Sequence, residues 1–198
     1  MGDLLLARHG ETEWSRSGRH TGRSDLSLTR DGEAQARALA PLLEGRSFAL
    51  VLTSPLARAR RTAELAGLAD VLPEPDLREW DYGDYEGVTT ADIHRTRPGW
   101  NLWTDGVPPG PEFPGESPGQ VGERADRVLS KVAGALGAGD VLLVAHGHLL
   151  RVLTARRLGL PPADGRLFRL ETGTLSRLSL EHGSPVIAEW NTRPSATA

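Results

Sequence analysis

The sequence has no cysteine, and aromatic residues make up only 5% of its 198 residues. Without cysteine, neither a disulfide framework nor a thiolate metal site can form. No apolar run approaches the length that spans a bilayer, and the N-terminus has no basic and apolar leader, so we expect a cytoplasmic protein without a membrane partner. The formal charge of −3 and the lack of basic runs interleaved with aromatics argue against a nucleic-acid partner.

The composition that remains is ordinary for one globular unit. Hydrophobic residues make up 38% of the chain and charged residues 25%, and a chain of this length can bury one substantial core. We therefore expect a single domain over residues 1–198. Either a monomer or a homodimer is compatible with the sequence.

Two apolar runs end in a His-Gly pair. Residues 4–7 lead into Arg8 and His9, and residues 141–145 lead into His146. Short apolar runs between turn signals indicate strands buried on both faces, and parallel strands present ligand-binding residues at their carboxyl ends. We expect the two imidazoles to share one pocket.

A third run, residues 48–53, also predicts a buried strand. Ser54 suits a helix N-cap and Pro55 the first helical position, which predicts a helix from Ser54 to about Leu65. Arg58 then lies on the first helical turn, where free backbone amides and the helix dipole favour an anion. Together with Arg8, His9 and His146 at the ends of the other two strands, Arg58 is expected to form a basic pocket of the size of a phosphate.

The remaining pattern alternates between strands and helices. This alternation predicts an α/β fold, a three-layer sandwich with a largely parallel mixed central sheet, helices on both faces and an antiparallel edge. The predicted segments are a loop over residues 8–28, helices over 29–43 (interrupted near Pro41), 117–136 and 147–158, an edge strand over 71–73, and strands over 167–170, 174–180 and 185–190.

Proline and glycine are concentrated in one segment. Residues 96–119 contain six prolines and five glycines, a composition that argues against a helix or a central strand. We expect a small Pro-rich cap over residues 88–119, ordered by the apolar side chains of Trp100, Trp103 and Phe113.

Four motifs occur in a fixed order along the chain. They are Arg8-His9-Gly10-Glu11-Thr12, then Ser54-Pro55-Leu56-Ala57-Arg58-Ala59 with Thr62-Ala63, then Leu77-Arg78-Glu79 with Tyr82-Gly83 and Glu86-Gly87, and then Ala145-His146-Gly147. Each is weak alone, but the ordered set resembles the histidine phosphatase superfamily, also called phosphoglycerate-mutase-like. Residues 12–29 are similar to its small-molecule phosphatase branch, which includes sugar bisphosphatases and broad-specificity phosphatases.

The resemblance implies a phosphomonoesterase that needs neither metal nor cofactor. It would hydrolyse small phosphorylated metabolites, with sugar phosphates and sugar bisphosphates first. His9 would attack phosphorus and become phosphohistidine, while Arg8, Arg58 and His146 would bind the phosphoryl oxygens. Guanidinium groups suit this task because they stay charged and offer forked donors to phosphate.

The resemblance also implies a general acid and several substrate contacts. Glu79 would protonate the leaving oxygen and later accept a proton from water, and Glu86 is the competing carboxylate. Contacts with substrate are implied for Ser15, Thr21, Gly22 and Gly147.

Two other functions compete with hydrolysis. A cofactor-dependent phosphoglycerate mutase is disfavoured because Ser15 and Arg23 depart from the mutase pattern and the stretch between Glu79 and His146 is shorter than the mutase insertion. A non-catalytic phosphoanion-binding scaffold is disfavoured because such a protein would be expected to lose His9 or Glu79 first.

The other histidines receive no catalytic role. His146 and His148 are two residues apart and form an alternative metal pair, but no acidic cluster lies near them in sequence. We expect His148 to stabilise its motif, and His20, His94 and His182 to be ordinary surface or loop residues.

Overall fold

A six-stranded sheet lies at the centre of the protein. The structure, a computed structural model, describes residues 1–193. The strands are β1 (Leu4–Arg8), β2 (Phe48–Thr53), β3 (Leu72–Pro73), β4 (Asp140–Ala145), β5 (Leu175–Glu181) and β6 (Ser184–Thr192). Their order is β3-β2-β4-β1-β5-β6; the first four are mutually parallel, and β5 is antiparallel to both β1 and β6. The predicted mixed sheet with an antiparallel edge is confirmed.

Helices cover the sheet on both sides. They are α1 (Glu13–Ser17), α2 (Arg30–Ala38), α3 (Ala40–Leu43), α4 (Ala57–Leu65), α5 (Thr90–Thr96), α6 (Leu102–Asp105), α7 (Pro118–Ala138) and α8 (Gly147–Arg157). Shorter 3-10 helices span Pro75–Leu77, Gly83–Tyr85 and Pro162–Leu167.

The core is divided by the sheet into two layers because successive strand residues point to opposite faces. On one face, Leu4 and Leu6 pack with the apolar stripes of α7 and α8. On the other, Leu5 and Ala7 pack with the end of α2, with α3 and with α4. The predicted sandwich, with helices on both faces of the sheet, is confirmed.

The ends of α7 and the break after α2 follow the predicted signals. Ser117 and Gln120 form a capping box at the start of α7. The predicted helix over residues 29–43 is interrupted at Leu39, two residues before Pro41. The break places Pro41 in the first turn of α3, where its missing N–H would have no partner inside the helix.

The start of α4 differs from the prediction. This helix begins at Ala57, and the side chain of Ser54 makes no N-cap bond to it. The hydroxyl of Ser54 instead lies 2.7 Å from Nε2 of His146, at the end of a neighbouring strand. The prediction of a helix start at Ser54 was therefore wrong, although Arg58 does lie in the first turn.

One strand prediction and two predictions of non-helical segments are also corrected. Residues 167–170 form no strand, since Leu167 ends a 3-10 helix and the following residues are irregular. Residues 8–28 contain the helix α1, because Thr12 and Ser15 form a capping box. Residues 96–119 contain α6, whose Trp103 amide donates to the side chain of Asn101 at 2.9 Å.

The aromatic residues predicted to order the cap are buried to different degrees. Trp100 and Trp103 are buried in the core layer that contains α7. Phe113 is only half-buried. The tryptophans therefore attach residues 88–119 to the rest of the molecule.

The central position of β4 makes a direct stability prediction. Leu143→Ala is expected to lower the free energy of unfolding by about 2–5 kcal/mol, because Leu143 is fully buried between β1 and β2 and truncation leaves a cavity. Leu72→Ala, on the edge strand, is the matched control because Leu72 is 54% exposed. Its expected change is within about 0.5 kcal/mol in the same urea titration. Equal losses in the two variants would contradict this description of the core.

Candidate active site

A cavity of about 460 Å³ opens at the carboxyl ends of β1 and β4. Six of the residues predicted for the site line it: Arg8, His9, Ser15, Thr21, Glu79 and Gly147. Its volume is in the range of small-molecule sites and exceeds the space that a single phosphate needs. The predicted residues Arg58, His146 and Gly22 are not part of its wall.

The strand register brings the two histidines together. Arg8 pairs with Ala145 in the parallel ladder, so His9 and His146 follow at the same level. Their ring centroids are 5.1 Å apart. The N–H of His9 donates to the Ala145 carbonyl at 3.0 Å, which fixes the loop start against β4. The predicted proximity of the two imidazoles is confirmed.

His9 presents one ring nitrogen to the cavity. Its Nδ1 lies 2.7 Å from the carbonyl oxygen of Gly10, so Nδ1 carries the proton and donates it. Among residues 1–193, the buried side-chain polar atoms without a partner are Arg8 Nε and Arg157 Nε, so the unpartnered Nε2 of His9 faces open space. Burial, reinforced by the charges of Arg58 and Arg8, lowers the pKa of His9 well below its usual value. The ring is therefore neutral at physiological pH, with a free lone pair on Nε2.

Arg8 supplies cationic donors beside His9. Its Nη1 donates to the Leu170 carbonyl at 2.5 Å, and its Nε is buried with no acceptor in the described part of the chain. A buried guanidinium N–H without an acceptor is costly unless an anion binds there. The backbone of Gly147 packs directly against this guanidinium: a Cβ at Gly147 would lie 3.1 Å from Arg8 Cζ.

Arg58 and His146 lie behind His9 and are fully buried. Nε of Arg58 donates to Nδ1 of His146 at 3.1 Å, which leaves the proton of the neutral imidazole on Nε2 for Ser54. The other guanidinium nitrogens of Arg58 donate to the carbonyls of Thr21, Gly22 and Ser24. Arg58 therefore holds the 21–24 loop in place and adds positive charge behind the cavity.

Glu79 is a buried carboxylate that also lines the cavity. Its oxygens accept hydrogen bonds from three backbone N–H groups: Trp80 at 2.9 Å, His148 at 3.0 Å and Leu149 at 2.9 Å. The last two amides belong to the first turn of α8, which immediately follows His146. The carboxylate of Glu79 is thereby fixed relative to the second histidine motif.

Arg124 of α7 supports the Glu79 loop from outside the cavity. Its guanidinium donates to the carbonyls of Asp76 and Arg78 at 2.7 and 2.9 Å. It also forms a bidentate pair with Glu116, at 2.7 and 2.8 Å. This network ties the loop that carries Glu79 to both α7 and the cap.

Glu86, the competing carboxylate, has a different set of partners. It accepts from the N–H groups of Gly22 and Ser24, each at 3.0 Å, and it does not line the cavity. The amide that we expected Gly22 to offer a substrate is therefore already occupied. Ser15 lines the cavity but uses its hydroxyl in the α1 capping box, whereas Thr21 lines it from the loop that Arg58 holds.

The outer wall contains residues that sequence reasoning missed. His20, His94 and His148 all line the cavity, as do Tyr82, Asn101 and Arg151. His20 does lie in a loop, but its side chain is buried and stacks on Tyr82 with ring centroids 4.7 Å apart, so it is not a surface residue. Burial lowers the pKa of His20 to about 4. Of these residues, only Arg151 could have been placed near the site from the sequence, because it lies one helical turn after the His146 motif.

Neither a metal centre nor a membrane span occurs in the part of the chain that the structure describes. Residues 1–193 contain no group of three or more His, Asp or Glu side chains placed to hold a metal ion. His146 bonds to Ser54 and Arg58, whereas His148 bonds to Tyr82, so this pair shares no open face. Over the same residues, no helix is both long and apolar enough to cross a bilayer.

Comparison with known families agrees with this geometry. The model of the histidine phosphatase superfamily (branch 1) matches residues 4–193. The chain belongs to that superfamily. A structure of the open reading frame product Rv3214 of Mycobacterium tuberculosis superimposes with a TM-score of 0.91 at 39% identity, covering 98% of both chains.

Curated relatives carry three kinds of name. An acid phosphatase of Mycobacterium tuberculosis is 42% identical over 91% of this chain and 87% of its own length. Sedoheptulose 1,7-bisphosphatase of Saccharomyces cerevisiae is 36% identical over 79% and 67%. A Photorhabdus laumondii protein named "probable phosphoglycerate mutase" is 34% identical over 96% and 90%. The superfamily protein described here is thus similar to phosphatases and to mutase-like proteins.

The neutral histidines of the site predict a pH-dependent stability. His9, His146 and His148 have pKa values well below 6.5, mainly because of burial, and that of His20 is about 4. Unfolding restores the ordinary pKa values, so the unfolded chain binds more protons below about pH 6.5 and stability falls as the pH is lowered.

Urea titrations between about pH 7.5 and pH 5 measure this effect, in which each such histidine contributes up to about 1.4 kcal/mol per pH unit. In the variant His20→Asn, the free energy of unfolding is expected to change less steeply with pH, by the equivalent of up to one bound proton. A free energy of unfolding that is constant over this pH range would contradict the conclusion that these histidines are buried and neutral.

The contact between Gly147 and Arg8 predicts a defect in anion binding. Gly147→Ala places a methyl group 3.1 Å from Arg8 Cζ, and the guanidinium must move from its position on the Leu170 carbonyl. We expect inorganic phosphate to bind about tenfold more weakly, equivalent to one charged hydrogen bond. Gly137→Ala is the control because a Cβ there meets nothing within 4 Å. If calorimetry gave both variants the phosphate affinity of the wild type, anion binding would not depend on the close contact between Gly147 and Arg8.

Proposed function

We propose that this protein is a metal-independent phosphomonoester hydrolase of small phosphorylated metabolites, acting through a phosphohistidine on His9. The observation that carries the proposal is the state of His9: its Nδ1 proton is held by the Gly10 carbonyl, and its Nε2 lone pair faces the cavity. Phosphoryl transfer needs an in-line nucleophile, positive charge around the equatorial oxygens and an acid for the leaving oxygen. Residues in and behind the cavity wall provide each of these.

The first step transfers the phosphoryl group to His9. Nε2 attacks phosphorus and the P–O bond to the substrate alcohol breaks, while Glu79 donates a proton to the departing oxygen. Arg8 has four of its five N–H groups without protein acceptors among the described residues, and the guanidinium is thereby available to the phosphoryl oxygens. Arg58 adds positive charge from behind His9, and His146 accepts a hydrogen bond from its guanidinium.

The second step regenerates His9. A water molecule attacks phosphorus, the P–Nε2 bond breaks and Glu79 accepts the proton that the water releases. Inorganic phosphate leaves and both residues return to their starting protonation states. The Nδ1–H bond to Gly10 keeps the imidazole in one orientation through both displacements.

The charge of the cavity supports anionic substrates larger than phosphate. Its wall carries Arg8, Arg19 and Arg151, whereas Glu79 is its single carboxylate within residues 1–193. Arg151 stacks on Trp103, with Cζ 4.5 Å from the ring centroid. Sugar phosphates and sugar bisphosphates fit this combination of cationic and aromatic groups, and one relative is named as a sugar bisphosphatase.

The direct test incubates the purified protein with EDTA and separate phosphomonoesters. Suitable substrates are sugar phosphates, a sugar bisphosphate, 3-phosphoglycerate and an aryl phosphate. We expect released phosphate that EDTA does not reduce. Loss of activity on chelation would refute the metal-independent mechanism. Isomerised phosphoglycerate that depends on a bisphosphate primer would identify a mutase, and phosphate binding without turnover would identify a scaffold.

The role of Glu79 predicts a dependence on the leaving group. Glu79→Gln is expected to lower kcat for a sugar phosphate by about 10²–10⁴-fold, because an alkoxide needs a proton to leave. An aryl phosphate should lose much less, since a phenolate leaves without one. Glu86→Gln is the matched control, because Glu86 contacts loop amides and not the cavity. The opposite pattern in steady-state kinetics would transfer the acid role to Glu86.

A further inference from the structure

Tyr82 and His148 form a buried pair that the proposed chemistry does not use. The hydroxyl of Tyr82 lies 2.5 Å from Nδ1 of His148. Tyr82 is 1% exposed, and its ring packs against His20. His148 lies in the first turn of α8 and borders the cavity, and its ring contacts Trp103 at a centroid distance of 5.2 Å.

The hydrogen bond fixes the tautomer of His148. Within residues 1–193, the Tyr82 hydroxyl has no other acceptor than Nδ1 of His148. A buried O–H that donates to nothing is costly, so Tyr82 donates and Nδ1 accepts. The neutral imidazole then carries its proton on Nε2.

This Nε2–H points into the cavity. Nε2 has no partner in the described chain, and it is not one of the buried atoms that lack a partner, so it retains exposed surface. The backbone N–H of the same residue donates to Glu79 at 3.0 Å. His148 therefore contacts the proposed general acid through its backbone, while its ring contributes a neutral donor to the same cavity.

We propose that His148 determines substrate specificity by donating its Nε2–H to a hydroxyl or ring oxygen of the leaving alcohol, with Tyr82 as the residue that positions it. This inference rests on the proposed phosphatase function and names its substrate class as phosphorylated polyols and sugars. An uncharged N–H bonds to a neutral oxygen without attracting a second anion. Arg8 and the charges behind it bind the phosphoryl group, whereas His148 recognises the carbon skeleton.

The surroundings keep His148 neutral. Burial lowers its pKa well below the usual value, and the positive charges of Arg151, His20 and Arg8 act in the same direction. Tyr82 has a pKa raised well above its usual value, mainly by burial, so its hydroxyl stays protonated and donates. Glu79 is the carboxylate that contacts the backbone of His148.

The tautomer is measured independently of activity. Two-bond ¹H–¹⁵N correlation spectra of the ¹⁵N-histidine-labelled full chain are expected to show His148 with Nε2 protonated and Nδ1 bare. In Tyr82→Phe this signature should shift, because Nδ1 loses its donor while the ring packing is kept. A wild-type spectrum with the proton on Nδ1 would overturn the proposal.

Kinetics with a matched pair of substrates test the contact itself. Glycerol 1-phosphate and propyl phosphate have the same carbon chain and differ in their hydroxyl groups. We expect a preference for glycerol 1-phosphate in kcat/KM of about fivefold, the value of one neutral hydrogen bond. Tyr82→Phe and His148→Phe should each reduce this preference, measured as the ratio of the two kcat/KM values, to nearly one.

The double variant separates positioning from direct contact. If Tyr82 acts through His148, Tyr82→Phe combined with His148→Phe is no worse than His148→Phe alone. A preference that survives in both single variants, or strictly additive losses, would overturn the inference. Failure of the wild-type protein to hydrolyse either substrate would instead refute the phosphatase function on which the substrate contact depends, while the tautomer remains decided by the spectra.

Discussion

Two guanidinium groups are buried beside His9 without a carboxylate ion pair, and the rest of the site depends on this arrangement. Among residues 1–193, neither Arg8 nor Arg58 lies within 4 Å of an Asp or Glu oxygen. Burying a charge without a counter-ion is unfavourable unless hydrogen bonds and a bound ion compensate. Backbone carbonyls and His146 satisfy Arg58, whereas Arg8 keeps a buried donor free. The described residues thus leave a buried cationic donor beside His9 that an anion from solution can bind.

The same buried arginines reinforce the neutral state of the histidines and hold the loop above them. Burial lowers the pKa of His9 and His146, and the charge of these arginines lowers it further, so the pocket holds neutral imidazoles next to permanent cations. The carbonyls that bind Arg58 come from residues 21–24, whose amides are in turn held by Glu86. One buried arginine of α4 therefore links His146, at the end of β4, to the loop over residues 21–24.

Much of the sheet and the inner site could be predicted from the sequence because the signals are local. Apolar runs that end in polar residues identified β1, β2 and β4, and the parallel register then required His9 and His146 to meet. The start of α4 was missed because Ser54 had two possible partners, the helix amides and His146. In the folded chain, the hydroxyl of Ser54 bonds to His146 and does not cap the helix, which local sequence cannot show.

The residues of the outer cavity wall could not be predicted from local sequence patterns, for a different physical reason. His20 comes from the loop after α1, Tyr82 from a 3-10 helix boundary and His148 from α8, and no spacing rule connects these segments. Trp100 was predicted to be buried, but nothing in its neighbourhood indicates that it lies against His20. Residues that recognise the variable part of a ligand are assembled from distant loops, so their partners become visible only in the folded chain.

The central claim is that His9 itself takes the phosphoryl group. The most direct measurement mixes the wild-type protein with a substrate labelled in its phosphoryl group, quenches with alkali during turnover and maps the labelled peptide. We expect label on His9 that forms and decays at least as fast as the steady-state turnover. Accumulation of labelled inorganic phosphate while the protein stays unlabelled at every quench time would contradict it.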